Sequence, residues 1–239
     1  MHLSPLQYLP LTLPFFLLLV AIFVGLVAYI EVRALHFAFL RAGIGTRAAL
    51  FLLFGSLIGS SINIPVAELP PENLVSGEDI SFFGMHYVVP VMVEWPGTII
   101  AVNVGGAVIP ALLSLYLLFK YNLWIRGAIA TACVAVIAHV LATPVHGVGI
   151  AEPIFVPPIA TAIVSVIISR AYAAPLAYIS GSMGVLIGAD LLNLDKVQGL
   201  GAPVASIGGA GTFDGIFLTG VIAVLLASFV QPPQRPARA

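Results

Sequence analysis

The chain has 239 residues, of which 60% are hydrophobic and only 8% are charged. Soluble domains carry about 25% charged residues, so this composition excludes an ordinary soluble protein and predicts an integral membrane protein. The net charge of -1 argues against a nucleic-acid partner, and the single cysteine excludes an intramolecular disulfide.

Seven apolar segments approach the length of about 20 residues that a membrane span needs. In chain order they are residues 11–32, 47–66, 97–119, 124–143, 153–169, 173–192 and 206–230. No basic region precedes the first, which is therefore predicted to be a retained span and not a signal peptide. The fifth contains Pro157 and Pro158 and could begin as a broken or re-entrant segment. We predict an all-α polytopic transmembrane helical bundle of about seven spans, forming a single domain over residues 1–239.

Basic residues predict the orientation of these spans. All but one fall in alternate loops and in the C-terminal tail: Arg33, Arg41, Arg47, Lys120, Arg126, Arg170, Arg235 and Arg238. The exception is Lys196, which falls on the other side. By the positive-inside rule these loops are cytoplasmic, which places the N-terminus outside and the C-terminus inside. The expected location is the inner (cytoplasmic) membrane.

The longest predicted outer loop covers residues 67–96. It begins with the polar, turn-rich stretch "ELPPENLVSGED" and ends with "SFFGMHYVVPVMVEW", which is rich in β-branched and aromatic residues. The second stretch predicts a short hairpin. The loop either caps the outer mouth of the bundle or is an ordinary interfacial loop.

Two stretches of the first half resemble two of the second. "GSLIGSSINIP" (55–65) is similar to "MGVLIGADLLN" (183–193), and "AVNVGGAVIP" (101–110) is similar to "ASIGGAGTFD" (205–214). On the predicted topology, the halves 47–120 and 173–230 point the same way, which predicts a parallel repeat of the kind found in some transporters. The alternative is chance similarity between short glycine-rich stretches.

Glycines at Gly208, Gly209 and Gly211 precede Asp214 and the last apolar segment. Non-helical backbone at membrane depth is tolerated only where protein or a water-filled cavity satisfies it. The run therefore predicts a broken helix start that lines a polar, ligand-binding pocket. Asn63 and Asn103 occupy the related positions of the first half and are further ligand-binding candidates.

Asp190 lies at the outer end of the sixth predicted span, and Asp214 lies near the outer start of the seventh. The two spans are antiparallel neighbours, so the carboxylates can approach each other and share a proton. Such a pair serves aspartyl-protease chemistry, proton coupling or cation binding. The alternative is a helix-capping Asp214 and a solvated, interfacial Asp190.

His139, His146 and Glu152 are candidate ligands, with the aspartates, for a divalent metal. No tight motif such as HExxH supports this site. The alternative for His139 is a hydrogen bond between helices. The cofactor is otherwise unknown.

The motifs resemble those of the DUF1614 family of uncharacterised prokaryotic membrane proteins. The stretches that carry this resemblance are "SSINIPV", "VNVGGAVIP", "GVGIAEP", "YISGSMGVLIGADLLNL" and "SIGGAGTFDGIFLTG". The resemblance implies a family and no activity.

A looser resemblance is to presenilin-type intramembrane aspartyl proteases, which carry one aspartate on a sixth span and another, in a GxGD motif, on a seventh. The matching residues are Asp190, in "GAD" where that family has YD, and Asp214, in "GAGTFD" with two inserted residues. This resemblance implies that both aspartates are catalytic.

Three functions follow from these patterns. The leading hypothesis is transport or binding of a small solute or cation, coupled to protons. The alternatives are an intramembrane aspartyl protease acting on membrane peptides, and a non-catalytic subunit of a larger complex. The expected partners are the lipid bilayer and one of these ligands.

Overall fold

The computed structural model describes residues 13–82, 85–146, 149–198, 200–209 and 215–230. Within these ranges the chain forms seven α-helices joined by short strands. The helices are α1 (Leu13–Arg41), α2 (Thr46–Gly59), α3 (Ile109–Tyr121), α4 (Trp124–Leu141), α5 (Val156–Ile168), α6 (Ala173–Val185) and α7 (Gly215–Ser228).

Four helical segments are long and apolar enough to cross a membrane. They are Phe15–Arg41, Val104–Tyr121, Trp124–Leu141 and Arg170–Lys196. The second includes a π-helical turn before α3, and the fourth extends α6 through a π-helical and a 3-10 turn. The structure therefore confirms a helical, membrane-type chain, while seven complete spans and their orientation stay predictions.

Three apolar helices are shorter than a full span. The fifth predicted span is one of them: α5 has 13 residues, or about 20 Å of helix against the roughly 30 Å of the hydrocarbon core. Pro157 lies in its first turn, where proline is tolerated because that N–H has no helical partner.

The helix α6 lies at the centre of the bundle and α1 at its edge. Of the most apolar window of Arg170–Lys196, 72% is buried, against 0% for that of Phe15–Arg41. Small residues permit this packing: a Cβ on Gly181 would lie 3.2 Å from the backbone of Gly220 in α7. The large apolar side chains of α1 from Phe15 to Ile30 face outward, as expected for contact with lipid, whereas Ala38 and Phe39 near its end are buried in the core.

A three-stranded sheet lies at one end of the bundle and corrects the purely α-helical prediction. Its order is β1 (Asn63–Glu68), β4 (Ile99–Asn103) and β7 (Val204–Ile207), with β1 antiparallel and β7 parallel to β4. The ends of three predicted spans are thus strands, because they are short runs of β-branched residues next to glycines. We call this end the sheet side.

The loop over residues 67–96 forms a longer hairpin than expected. Strand β2 (Glu72–Phe82) pairs with β3 (Met85–Trp95) along their full length. The polar first part of the loop is therefore a strand and not a turn. A smaller hairpin of β5 (Thr143–Val145) and β6 (Gly149–Ala151) connects α4 to α5.

Three loops meet at the opposite end, which we call the basic side. The Nζ atom of Lys120 donates a hydrogen bond of 2.5 Å to the carbonyl oxygen of Gly43. The rings of Tyr121 and Tyr172 lie 5.6 Å apart. These contacts join the loops that follow α1, α3 and α5. Basic residues lie in or next to each of these loops: Arg41, Lys120 and Arg170.

Candidate functional site

Asp190 ends a π-helical turn, Leu186–Asp190, that interrupts the central helix after α6. Such turns are frequent at functional sites. The turn lies tightly against α4, because a Cβ on Gly188 would overlap the carbonyl group of Ala135. The side chain of Asp190 is half-buried and points toward β7, where its Oδ2 atom accepts a 2.7 Å hydrogen bond from the N–H of Gly208.

The backbone conformation of two glycines directs the N–H group of Gly208 toward Asp190. Gly208 and Gly209 have φ angles of +90° and +74°, which residues with a Cβ rarely adopt. A Cβ on Gly208 would also lie 2.6 Å from the nitrogen of Ala107. Glycine is thus required at Gly208 both by its backbone conformation and by its neighbours.

Asn103 connects the strands of the sheet through its fully buried side chain. Its Nδ2 donates to the carbonyl oxygen of Ser60 at 2.8 Å and to Oδ1 of Asn63 at 3.0 Å. Its Oδ1 accepts the N–H of Gly106 at 2.8 Å. The two asparagines lie directly opposite each other on β1 and β4, so both predicted candidates belong to one network.

Ser206 extends this network to β7. Its Oγ lies 2.7 Å from Oδ1 of Asn63 and 2.7 Å from the carbonyl oxygen of Gly209. The sequence analysis missed this residue. Aligning the two Gly-Gly-Ala triplets, which begin at Gly105 and Gly208, puts Ser206 in register with Asn103, and that alignment was the available signal.

Two cavities share Asp190. One has a volume of about 250 Å³ and is bounded by the sheet residues Ser206 and Gly209. The other, of about 300 Å³, lies between α5, α6 and α7 and includes Glu152 and Thr219. Among the described residues that line these cavities, none is basic. Both cavities therefore present oxygen atoms and apolar surface at the sheet side.

Glu152 contributes a second carboxylate to the larger cavity. It follows β6 and is half-buried. Its Oε2 lies 3.8 Å from the position that a Cβ would take on Gly215, the first residue of α7. A negative charge is favourable next to a helix N-terminus, where backbone N–H groups point outward.

The sequence model of one family, DUF1614, matches residues 57–226. The chain belongs to the DUF1614 family. The description of this family is a protein of unknown function. Comparison with curated proteins and with solved structures gave no match. The resemblance to DUF1614 is thus confirmed, and the looser one to presenilin-type proteases stays a prediction.

The DUF1614 match covers the sheet, both cavities and the helices α3 to α6 completely, whereas α1 lies before it. The site described above is therefore part of the region that defines the family.

Asp214 and Gly211 lie outside the described residues, so the approach of Asp190 and Asp214 stays a prediction. The nearest described residue, Gly215, lines the same cavity as Asp190 and Glu152.

The three predicted metal ligands form no metal-binding group among the described residues, and a site completed by Asp214 stays a prediction. His139 is half-buried near the end of α4, and its Nδ1 has no hydrogen-bond partner among the described residues. His146 is exposed in the turn after β5. In the described ranges, no three His, Cys, Asp or Glu side chains form a group that could hold a metal ion.

Proposed function

We propose that this DUF1614 protein binds and transports a small solute or cation and that Asp190 exchanges the coupled proton. The observation that carries this proposal is the position of Asp190. Its carboxylate lies at a break in the central helix and on the wall of both cavities. An ionisable group in this part of a membrane protein is a functional candidate because it is expensive to maintain there.

The size and chemistry of the cavities favour a small cationic ligand. Volumes of about 250 and 300 Å³ are at the lower limit of ligand pockets. Asp190, Glu152, Ser206 and Thr219 offer oxygen atoms, and the described lining has no basic residue to neutralise the carboxylates. Oxygen ligands suit hard cations, and carboxylates also accept protons.

A row of hydroxyl groups leads from the larger cavity into the bundle, which favours transport over binding alone. On α5, Pro157 lines the cavity, and Thr161 and Ser165 follow at intervals of four residues on the same buried face. Both hydroxyl-bearing residues are 0% exposed, and Oγ1 of Thr161 has no hydrogen-bond partner among the described residues.

The neighbouring helices continue this row, which we call the hydroxyl seam: Thr161, Ser165, Ser180, Ser182 and Thr219. The Oγ atoms of Ser165 and Ser180 are 3.2 Å apart. Ser182 lies against Gly220, the residue after Thr219. From Asp190 to Ser180 the chain advances ten residues, or about 15 Å, which is half the thickness of the hydrocarbon core.

The relation between β4 and β7 supports the proposed internal repeat. The two strands are parallel neighbours, and each precedes two glycines and a helix that runs away from the sheet. A parallel repeat over 47–120 and 173–230 accounts for both features. We further propose that the sheet side faces outward across the cytoplasmic membrane, since Lys120 and Arg170 lie at the other end and Lys196 is the exception.

Ion-driven proton movement in proteoliposomes tests the proposal. The full chain is reconstituted around the pH dye pyranine, and gradients of Na⁺, K⁺ and Mg²⁺ are imposed in turn. We expect wild-type vesicles to move protons in response to one of these cations. Asp190→Asn keeps the size but removes the titratable group, so its rate should equal that of empty liposomes.

Asp195→Asn is the matched control, because Asp195 is an exposed acid five residues away that lines neither cavity. It should retain the wild-type rate. Wild-type vesicles that respond to no cation, or equal rates in the two variants, would contradict the proposal. Cleavage of a reporter transmembrane peptide by wild type, lost in Asp190→Asn, would support the protease alternative instead.

A further inference from the structure

A groove on the outer surface of the bundle lies between α2 and α3 and shares no lining residue with the two cavities of Asp190. We call it the α2–α3 groove. Its volume is about 490 Å³. Its main lining residues are Ala48, Phe51, Leu52, Ile109, Leu112 and Tyr116. The lining is almost entirely apolar.

Close contacts of α2 with the chain that leads into α3 lie toward the sheet side. There, Oγ of Ser56 donates a 2.6 Å hydrogen bond to the carbonyl oxygen of Gly105, and a Cβ on Gly59 would lie 3.0 Å from the nitrogen of Gly105. Toward the basic side, the facing positions carry Gly45 and Ala48, which are too small to fill the space opposite Tyr116. We call the part of the groove that is bounded by Gly45, Ala48 and Tyr116 its wide end.

The walls of the groove face away from the protein. Phe51, Leu112 and Tyr116 are 80%, 61% and 51% exposed. Since α3 belongs to a helix of membrane-spanning length, these side chains face the hydrocarbon of the bilayer. An acyl chain can fill such a groove and make the dispersion contacts that an empty groove would lack.

Two cations flank the wide end of the groove. Arg47 is exposed in the first turn of α2, next to the lining residue Ala48. Lys120 is one turn beyond Tyr116, and its Nζ lies 5.5 Å from the centre of that ring. One N–H of Lys120 is directed to Gly43, and an ammonium group has two more to donate. Basic pockets between helices on the cytoplasmic side are typical sites for anionic headgroups.

We propose that the α2–α3 groove binds one anionic phospholipid of the surrounding membrane, with an acyl chain in the groove and the phosphate at Arg47 and Lys120. An apolar channel that ends in positive charge matches an amphiphile with a negative head. A second copy of this chain fits less well, because a symmetric contact in the membrane would bring the Arg47 side chains of both copies to one end. The inference does not depend on the function of Asp190.

Native mass spectrometry of the full chain in mild detergent tests this site. The protein is titrated with phosphatidylglycerol or with phosphatidylcholine of the same acyl chains. We expect one phosphatidylglycerol to be retained, with at least about a tenfold preference, since each basic residue near an anionic headgroup contributes about fivefold. Arg47→Gln should reduce retention of phosphatidylglycerol by about fivefold.

Two matched controls separate this site from general lipid contact. Arg126→Gln removes an exposed charge from the first turn of α4, outside the groove, and should leave the preference unchanged. Leu112→Trp should block the groove and reduce retention of both lipids, whereas Leu115→Trp, at an exposed position of α3 that does not line the groove, should not.

Three results would overturn the proposal. They are equal retention of the two lipids by wild type, equal losses in Arg47→Gln and Arg126→Gln, and a wild-type dimer that Leu112→Trp converts to a monomer. The last would assign the groove to a second copy of the chain. Unchanged elution of each variant on size exclusion verifies that it is folded.

Discussion

At the scale of single residues, the backbone of Gly208 determines how the carboxylate of Asp190 is held. The hydrogen bond between them is charge-assisted when Asp190 is ionised, and such bonds contribute about 1.5–3 kcal/mol. The amide reaches Asp190 because Gly208 has a positive φ and packs against Ala107 without a Cβ. The site therefore requires a glycine at the position of Gly208.

We expect Gly208→Ala to destabilise the protein and to impair cation-driven proton movement. The positive φ alone contributes about 1–3 kcal/mol of strain, and the overlap with Ala107 adds about the same. The control is Gly149→Ala, where φ is also positive, at +111°, but a Cβ would meet no atom within 4 Å. Thermal unfolding in detergent should show a clearly larger fall of Tm for Gly208→Ala. Equal falls would show that packing at Ala107 is irrelevant.

The sequence indicated most of the polar residues at the sheet side, because charged residues are only 8% of this apolar chain and each one is therefore informative. Asp190, Asn63, Asn103, Gly208 and Gly209 do lie around one sheet. Their joint position could not be derived, since it depends on strand pairings between segments about 40 and about 105 residues apart. The proposed role of the histidines stays a prediction, because nothing in their spacing specifies which way they point.

At the scale of elements, each of the seven predicted apolar segments contains a helix in the described part of the chain, but several helix ends were misplaced. The segment from Ile62 to Val66 is short and mostly apolar, and hydrophobic periodicity cannot distinguish a strand from a helix in a run of this length. Glycines mark the ends of these elements: α2 ends at Gly59, and β7 is followed by Gly208 and Gly209. The parallel pairing of β4 and β7 then fixes how α3 and α7 leave the sheet.

The π-helical turn before Asp190 provides a test at this scale. Gly188→Ala would place a Cβ against the backbone of Ala135, which cannot move without shifting α4. We expect a loss of about 1–3 kcal/mol in the free energy of unfolding, as overpacking usually produces. Gly25→Ala in α1, where a Cβ would meet nothing within 4 Å, should be neutral or slightly stabilising. A stable Gly188→Ala variant with wild-type unfolding would contradict the tight α4–α6 contact.

At the scale of the whole molecule, the two ends of the bundle differ in chemistry. The sheet side carries the carboxylates, the asparagines and both cavities, whereas the basic side carries Lys120 and Arg170 and the wide end of the α2–α3 groove. The proposed solute site and the proposed lipid site are thus at opposite ends. Which end faces the cytoplasm determines the direction from which the solute enters.

Cysteine labelling determines this orientation. In a Cys133→Ala background, Ser76→Cys lies on the β2–β3 hairpin next to the sheet, and Arg170→Cys lies at the opposite end between α5 and α6. By the positive-inside rule, a membrane-impermeant maleimide should label Ser76→Cys in intact cells and Arg170→Cys only in inverted vesicles. The wild-type Cys133 is the control, because it is exposed on the surface of α4 toward lipid and should react in neither preparation. The reverse pattern would place both cavities on the cytoplasmic side, and Asp190 would then receive its ligand from inside the cell.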